Sequence, residues 1–224
     1  MLLQLDSIVS EQAIAHLRAT LASAPFVSGS RTAAPQAVRI KNNLQLPADH
    51  DVAVHGARVL LGILTSHAAF QAATLPAAMT VPRFCRYEVG MGYGDHHDSP
   101  VMNGARRVRT DIAVTISLTP KEAYGGGELV IDTDGAAWPW KGGAGDCILY
   151  PADTRHRVEP VSRGVRLVAI LWIQSLVRDP DKRRVLYEMT TAIDSLSQRS
   201  QAAKHEVEHL RNCHNHLVRM WAQP

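Results

Sequence analysis

The segment PRFCRYEVGMGYGDHHDSP occupies residues 82–100 and passes from an apolar, strand-like run into a polar stretch with two histidines between two aspartates. Gly, Asp, Ser and Pro favour turns, so a solvated turn is the simplest interpretation of the second half. The alternative is a metal site, in which His96 and Asp98 are two ligands and a distant residue supplies the third. Residues elsewhere in the sequence distinguish a solvated turn from a metal site.

Strand-like texture continues to about residue 176. Short apolar runs alternate with Gly, Asp and Pro, and no helical segment intervenes. Closely spaced short strands with turn signals predict a β-sandwich or barrel. The runs are DIAVTISL (111–118), GELVIDT (127–133), GDCILYP (145–151), RHRVEPV (155–161) and VRLVAILWIQS (165–175).

Helical patterns precede this β region. Ser10 is placed to cap a helix over EQAIAHLRATLAS, residues 11–23, with Val9 and Ile14 as a hydrophobic staple. An apolar stripe with helical spacing predicts a second helix over about residues 49–70. We therefore expect helices to flank the β core on its N-terminal side.

A second helical region follows the β core. Asp179-Pro180 is a typical helix start, and apolar residues recur at helical spacing beyond it. We therefore divide the chain into residues 1–178, the β domain with its N-terminal helices, and residues 179–224, a C-terminal helical extension. The apolar stripe of this extension must be covered, so we expect it to cap the barrel or to form a homo-oligomer.

Composition excludes several classes of function. The chain has 224 residues, 46% of them hydrophobic, and a formal charge of only +3, which does not indicate a nucleic-acid partner. Three widely spaced cysteines form neither a disulfide framework nor a zinc motif. The start of the chain lacks the cationic region of a signal peptide, and no apolar run reaches the ~18 residues of a membrane span. We expect a cytoplasmic protein.

Among the remaining histidines, His156 is the best candidate for the third ligand. His96 and Asp98 are two residues apart, so in extended backbone both point to one face, whereas His97 points to the other. His156 begins a predicted strand that could lie beside them. Two histidines and one carboxylate form the facial triad of non-haem Fe(II) oxygenases, which leaves coordination positions open. The other candidates are clustered in the tail, residues 205–216.

Arg166 completes the pattern. Residues 155–172 are interpreted as a hairpin that turns around Arg163, which places Arg166 on the same face as His156 and about 13 Å further along the strand. That distance suits a small dicarboxylate held between a metal and a guanidinium. Arginine binds carboxylates through two parallel, charge-assisted hydrogen bonds.

These motifs together resemble those of the bacterial PKHD-type hydroxylases, which are Fe(II)/2-oxoglutarate-dependent dioxygenases related to prolyl 4-hydroxylases. His96-x-Asp98 is followed by His156 after 57 residues and by Arg166 ten residues later. The resemblance spans most of residues 20–178. It includes the segments KNNLQL (41–46), YGDHHDSP (93–100), RTDIAVTISL (109–118), GGGEL (125–129) and RHRVEPVSRGVR (155–166).

The resemblance implies a fold, a reaction and a site. The fold is a double-stranded β-helix, or jelly roll, with flanking helices. His96, Asp98 and His156 are the catalytic iron ligands, and Arg166 binds the distal carboxylate of 2-oxoglutarate. Fe(II), 2-oxoglutarate and O2 are then required, with L-ascorbate as a further cofactor to test. The reaction is hydroxylation of a C–H bond in a peptidyl or small-molecule substrate, and the family resemblance suggests a link to iron uptake.

Two other classes of function fit parts of the pattern. A non-catalytic jelly-roll sensor or binding protein could hold a metal and a 2-oxo acid without turnover, and succinate formation distinguishes it from an enzyme. A zinc hydrolase would use three protein ligands and an activated water. It needs no dicarboxylate anchor such as Arg166, and the sequence offers no candidate general base.

Other polar and aromatic residues have simpler interpretations. His97 is expected at the rim of the site and not as a ligand. Tyr87 and Tyr93 either line the co-substrate pocket or only pack within strands. The histidine-rich face of the last helix is expected to be solvated or to face a partner; it comprises His205, His209 and Cys213.

Overall fold

Two antiparallel sheets face each other in the computed structural model, which describes residues 1–32, 38–104, 106–133, 135–199 and 204–223. The larger sheet has eight strands in the order β1 (Leu3–Leu5), β14 (Cys147–Pro151), β10 (Ile112–Ser117), β17 (Arg166–Ser175), β6 (Arg83–Tyr87), β4 (Leu44–Gln45) and β2 (Val27–Ser28), with β5 (Pro76–Met79) also paired to β17. The smaller sheet has the order β13 (Ala136–Trp140), β12 (Leu129–Thr133), β15 (His156–Val158), β7 (Gly92–His96) and β3 (Lys41–Asn42).

Two short ribbons and a set of helices complete the fold. The ribbons are β11 (Gly125–Gly126) with β16 (Val161–Arg163), and β8 (Val101–Met102) with β9 (Val108–Arg109). The α-helices are α1 (Glu11–Ala22), α2 (Asp51–Ser66), α3 (Ala68–Thr74), α4 (Pro180–Arg199) and α5 (Lys204–Trp221), and short 3₁₀ turns span Gly29–Thr32 and Lys121–Ala123. The prediction of a jelly-roll β core with flanking and C-terminal helices is confirmed.

The central strand β17 has apolar residues on both faces, because each face packs against a different layer. One alternating set packs with helices α1 and α2; it comprises Leu167, Ala169, Leu171 and Ile173. The other set faces the smaller sheet and comprises Val168, Ile170 and Trp172. Arg166 has the same parity as this second set, so its side chain also points between the sheets.

The first helix forms as predicted. The Ser10 hydroxyl oxygen accepts a hydrogen bond from the Ala13 amide at 3.3 Å, and Val9 and Ile14 are both buried. The prediction of a single helix over residues 49–70 is wrong, because the first helix ends at Ser66 and a second one begins after His67. His67 has extended backbone, and its Nδ1 accepts a hydrogen bond from the Phe70 amide, which caps a new helix.

None of the helices in the described ranges combines the length and hydropathy needed to cross a membrane alone. Helices α2 and α3 meet that criterion only as a pair, and the pair bends by 82°.

The predicted hairpin around Arg163 is also wrong. His156 pairs with His96 in the smaller sheet, whereas Arg166 begins β17 in the larger sheet. Pro160 lies between them and has no amide hydrogen to continue a ladder. The residues after it pair with β11 as strand β16. The chain therefore crosses from one sheet to the other over this segment and does not fold back on itself.

The C-terminal helices dock on the helical layer. Helix α4 packs against α3 and α5, and Leu186 is completely buried. Arg183 is also buried, and its Nη1 donates to the carbonyl oxygens of Val177 and Arg178, each at 2.7 Å. The extension covers helices at the side of the β core, so its buried apolar face has its partner within this chain.

Candidate metal centre and its cavity

His96, Asp98 and His156 meet at the edge where β7 and β15 pair. His96 ends β7, His156 begins β15, and the two residues are direct partners in the ladder. Asp98 follows two residues after His96. One possible ligand atom from each residue lies within 4.8 Å of the other two. Among the described residues, no other group of three His, Cys, Asp or Glu side chains converges in this way.

Backbone carbonyl groups orient both imidazoles. Nδ1 of His96 lies 2.8 Å from the carbonyl oxygen of Gly94, and Nδ1 of His156 lies 2.9 Å from that of Thr154. A carbonyl oxygen can only accept, so each Nδ1 carries the hydrogen and each Nε2 retains its lone pair. Nε2 of His156 lies 3.9 Å from Oδ1 of Asp98. With the hydrogen on Nδ1, Nε2 of each imidazole is available to bind a metal.

The charge state of the site also suits a cation. Burial, followed by the neighbouring His156, lowers the pKa of His96 to about 4, so this imidazole is neutral at pH 7. Burial raises the pKa of the Asp98 carboxyl, because its charged form loses hydration, and His156 and the Trp172 hydrogen bond oppose that rise. A divalent cation would replace the hydration that this carboxylate has lost. The three residues therefore fit a metal that takes two imidazoles and one carboxylate.

The site opens into a cavity of about 790 Å³ between the two sheets. Arg166 lies on the wall formed by the larger sheet and is only 3% exposed. Its guanidinium carbon lies 5.0 Å from the centre of the Tyr87 ring. His156 and Arg166 thus share one cavity, although they reach it from opposite sheets and not from one hairpin.

Gly127 makes room for this arginine. Its φ of +69° is in the left-handed region, and a Cβ placed there would lie 3.1 Å from Cδ of Arg166. A glycine at this position therefore leaves space beside the buried guanidinium.

Aromatic side chains surround His96, Asp98 and His156. The Tyr93 ring stacks on His96, with ring centres 3.6 Å apart and planes 15° from parallel. Tyr150, which is buried, approaches His156 edge-on at 5.1 Å. Tyr87 and Tyr93 both line the cavity, so their role extends beyond strand packing.

Sequence reasoning missed Trp172, Tyr150, Arg83 and Lys41, which all line the cavity. Trp172 donates its indole N–H to Oδ2 of Asp98 at 2.7 Å. Trp172 and Arg166 are six residues apart on one strand, so the sequence already placed both side chains on the same face. Tyr150 and Arg83 are on strands whose inward face only the sheet pairing defines, so the sequence alone does not identify them.

Other candidates lie outside the cluster of ligands. His97 is exposed, as expected for a rim residue. Arg109, near the mouth of the cavity in sequence, donates hydrogen bonds to Asp111 at 2.7 and 2.9 Å. The tail residues His205, His209 and Cys213 form no metal-binding group with other described residues.

Comparison with known families agrees with this geometry. The model of the 2OG-Fe(II) oxygenase superfamily matches residues 82–174, and the model of the PKHD-type hydroxylase C-terminal domain matches residues 181–223. A PKHD-type hydroxylase of Hyphomonas neptunium is 42% identical over 225 residues, which cover 99% of each chain. One from Phenylobacterium zucineum is 38% identical over 226 residues, which cover all of both chains.

Solved structures share the fold at low sequence identity. A prolyl hydroxylase from Trichoplax adhaerens, in complex with a peptide of a hypoxia-inducible factor, has a TM-score of 0.60 and 16% identity, covering 83% of this chain and 86% of that one. A prolyl-4-hydroxylase from Pseudomonas putida has a TM-score of 0.54 and 15% identity, covering 78% and 92%.

Proposed function

This chain belongs to the PKHD-type hydroxylases of the 2OG-Fe(II) oxygenase superfamily, and on that premise we propose that His96, Asp98 and His156 hold Fe(II) while Arg166 binds the distal carboxylate of 2-oxoglutarate. The protein is then a dioxygenase that hydroxylates a C–H bond of a peptidyl or small-molecule substrate. The observation that carries the proposal is the convergence of the three ligand atoms at a cavity that also contains Arg166. Bound there with its co-substrates, iron would supply the oxidation that the family couples to conversion of 2-oxoglutarate into succinate.

The protein itself orients the three proposed ligand side chains before a metal binds. The carbonyl groups of Gly94 and Thr154 hold the two imidazoles with Nε2 free. Trp172 holds one oxygen of Asp98, so the carboxylate cannot rotate without losing a charge-assisted hydrogen bond. Preorganised ligands of this kind raise metal affinity, because less conformational freedom is lost on binding.

Arg166 is suited to the second carboxylate of a dicarboxylic acid. It is buried and has no carboxylate partner within ion-pair distance among the described residues, so an uncompensated charge faces the cavity. Burial is costly for an unpaired guanidinium, and an incoming carboxylate would offset that cost. A buried arginine without a carboxylate partner favours an oxygenase over a zinc hydrolase, whose reaction has no use for a dicarboxylate anchor.

Two measurements test the proposed function in sequence. Anaerobic addition of Fe(II) and 2-oxoglutarate should give a weak visible charge-transfer band, and later admission of O2 should give succinate. A band without succinate, under conditions where the substrate is present, would indicate a sensor. Absence of the band with wild-type protein would contradict the assignment of the ligands or of the co-substrate.

Three further proposals concern the setting of the reaction. They are stimulation by L-ascorbate, a cytoplasmic location and a link to iron uptake. Added ascorbate should raise the number of turnovers before inactivation, fractionation of cells tests the location, and comparing metabolites of wild-type and deletion cells under iron limitation tests the third. We also retain the division into residues 1–178 and 179–224.

Self-association through the C-terminal helices is a separate proposal. Three large apolar residues of α4 and α5 are at least 37% exposed: Val185, Leu210 and Met220. Exposed apolar side chains on neighbouring helices favour association. Light scattering should give a molar mass above that of the 24.5 kDa monomer, and replacing Leu210 and Met220 by Ser should restore the monomer.

A further inference from the structure

Tyr124 contacts the Arg166 side chain from outside the cavity. It follows the 3₁₀ turn Lys121–Ala123, it is only 3% exposed, and it is not one of the residues that line the cavity. A Cβ placed on Gly127 would lie 3.1 Å from Cδ of Arg166 and 3.2 Å from Cε2 of Tyr124, so the two side chains meet beside this glycine. Cε2 is bonded to the carbon that carries the Tyr124 hydroxyl. The polar end of the phenol therefore lies next to the arginine.

The contact between the two side chains is polar. Burial raises the pKa of the Tyr124 phenol, whereas the charge of Arg166 and a hydrogen bond with it oppose that rise. A guanidinium carries five N–H donors, and a hydroxyl oxygen can accept from one of them. Tyr124 therefore satisfies part of the buried guanidinium and leaves other donors for a ligand in the cavity.

Lys141 restrains Tyr124. Its Nζ donates to the Tyr124 carbonyl oxygen at 3.1 Å and lies 4.3 Å from the centre of the Tyr124 ring. The same ammonium lies 3.5 Å from Oε1 of Glu128, which is the acidic residue of the GGGEL segment at 125–129. This segment thus contributes twice, because Gly127 leaves room for Arg166 and Glu128 pairs with the lysine that restrains Tyr124.

A neutral hydroxyl suits this place better than a carboxylate would. Arginine has a long, flexible side chain, and a partner that orients it reduces the freedom lost when a ligand binds. An acidic partner would also orient Arg166, but it would neutralise the charge that attracts the distal carboxylate of 2-oxoglutarate. Over the described ranges of the chain, Arg166 forms no ion pair with such a partner. The Tyr124 hydroxyl orients the guanidinium without cancelling its charge.

We propose that Tyr124 is a positioning residue of the co-substrate site: its hydroxyl directs the fork of Arg166 towards the distal carboxylate of 2-oxoglutarate, and Lys141 keeps the tyrosine in place. This inference rests on the proposed function, because it takes Arg166 as the anchor of that carboxylate. Tyr124 itself touches no ligand, since it does not line the cavity. Its effect should therefore be confined to ligands that have a distal carboxylate.

The test compares two 2-oxo acids of equal chain length. 2-Oxoglutarate has a distal carboxylate, whereas 2-oxopentanoate ends in a methyl group and has nothing to offer Arg166. Each acid is titrated anaerobically into Fe(II)-loaded protein, and the charge-transfer band gives its dissociation constant. Wild-type protein should bind 2-oxoglutarate about 10- to 150-fold more tightly than 2-oxopentanoate, because only the former engages Arg166. The ratio of the two dissociation constants is the quantity that the variants should change.

Variants connect this ratio to the tyrosine. Tyr124→Phe removes only the hydroxyl, so it should lower the ratio about 3- to 10-fold, the effect of one hydrogen bond, and leave the affinity for 2-oxopentanoate unchanged. In the Arg166→Leu background, the same change should have no further effect. Lys141→Met keeps the hydroxyl and removes its restraint, so it should lower the ratio by less. Tyr187→Phe, on α4 and outside the cavity, is the matched control and should leave the ratio unchanged.

Three outcomes would overturn the inference. One is an unchanged ratio in folded Tyr124→Phe although Arg166→Leu lowers the ratio, and in that case the proposed function still stands. Another is an equal loss of affinity for both acids in Tyr124→Phe, which would indicate a general structural role. The third is an effect of Tyr124→Phe that persists in the Arg166→Leu background. If circular dichroism shows that Tyr124→Phe does not fold, an unchanged ratio in Lys141→Met overturns the inference in its place. Wild-type protein that binds both acids equally would instead contradict the proposed function itself.

Discussion

Trp172 donates its indole N–H to Oδ2 of Asp98 at 2.7 Å, and this hydrogen bond connects the central strand of the larger sheet to the segment that follows β7 of the smaller sheet. It leaves Oδ1 of Asp98 directed towards His156, at 3.9 Å from Nε2. The two sheets are therefore tied together at the point where His96, Asp98 and His156 converge. Trp172, which is not one of the proposed ligands, thus sets the orientation of Asp98, which is.

Replacing Trp172 by Phe should weaken Fe(II) binding by about 10- to 100-fold, a typical loss when the partner that orients a metal ligand is removed. The aromatic ring keeps most of the packing, whereas the hydrogen bond to the carboxylate is lost. Competition with a chromophoric chelator measures the dissociation constant. Trp138→Phe is the matched control, because Trp138 lies on β13 outside the cavity. Equal affinities for the two variants would show that the hydrogen bond does not organise the site.

Asp98→Ala should abolish 2-oxoglutarate-dependent hydroxylation, because the site loses its only carboxylate and keeps two imidazoles alone. His97→Ala serves as the neighbouring control and should reduce activity modestly at most, since His97 is exposed. Iron content and succinate formation are measured for both variants. Full activity of Asp98→Ala would contradict the assignment of the triad, and loss of iron from His97→Ala would identify His97 as a ligand.

Local patterns in the sequence were sufficient for much of the fold. The cap at Ser10 and the apolar spacing after it correctly predicted α1, because both signals lie within one short segment. Placing His96 and Asp98 on one face needed only the two-residue period of extended backbone. These predictions depend on neighbours in the chain, and the local sequence specifies such neighbours directly.

The sequence did not predict the features that depend on pairing between distant strands. A hairpin and a crossover between sheets have the same sequence pattern, which is an apolar run, a turn and another apolar run. The pattern of residues 155–172 therefore fits either of them. The pairing of β16 with β11 distinguishes the crossover from a hairpin. Gly126 contributes to that pairing with a φ of +63°, which few residues other than glycine adopt. The contact between Trp172 and Asp98 likewise joins residues 74 positions apart.

Leu186→Ala should lower the free energy of unfolding by about 2–5 kcal/mol, because the side chain is completely buried where α4 packs on the body of the protein. Val54→Ala removes apolar atoms from an exposed position on α2 and should change it by less than about 0.5 kcal/mol. Chemical denaturation measures both. Similar values for the two variants would mean that the C-terminal helices do not pack on the body in solution.

Arg166→Leu should weaken 2-oxoglutarate binding by about 10- to 150-fold, which corresponds to about 1.5–3 kcal/mol for the charged hydrogen bonds lost. Arg166→Lys should lie between Leu and wild type, because it keeps the charge without the fork. Iron affinity should barely change, since Arg166 and the metal ligands reach the cavity from different sheets. Arg163→Leu is the control, because Arg163 is exposed and its Nη2 donates to the Glu122 carbonyl oxygen. The anaerobic charge-transfer band, titrated with 2-oxoglutarate, measures the affinity. Normal binding by Arg166→Leu together with weakened binding by Arg163→Leu would move the anchor to the other arginine.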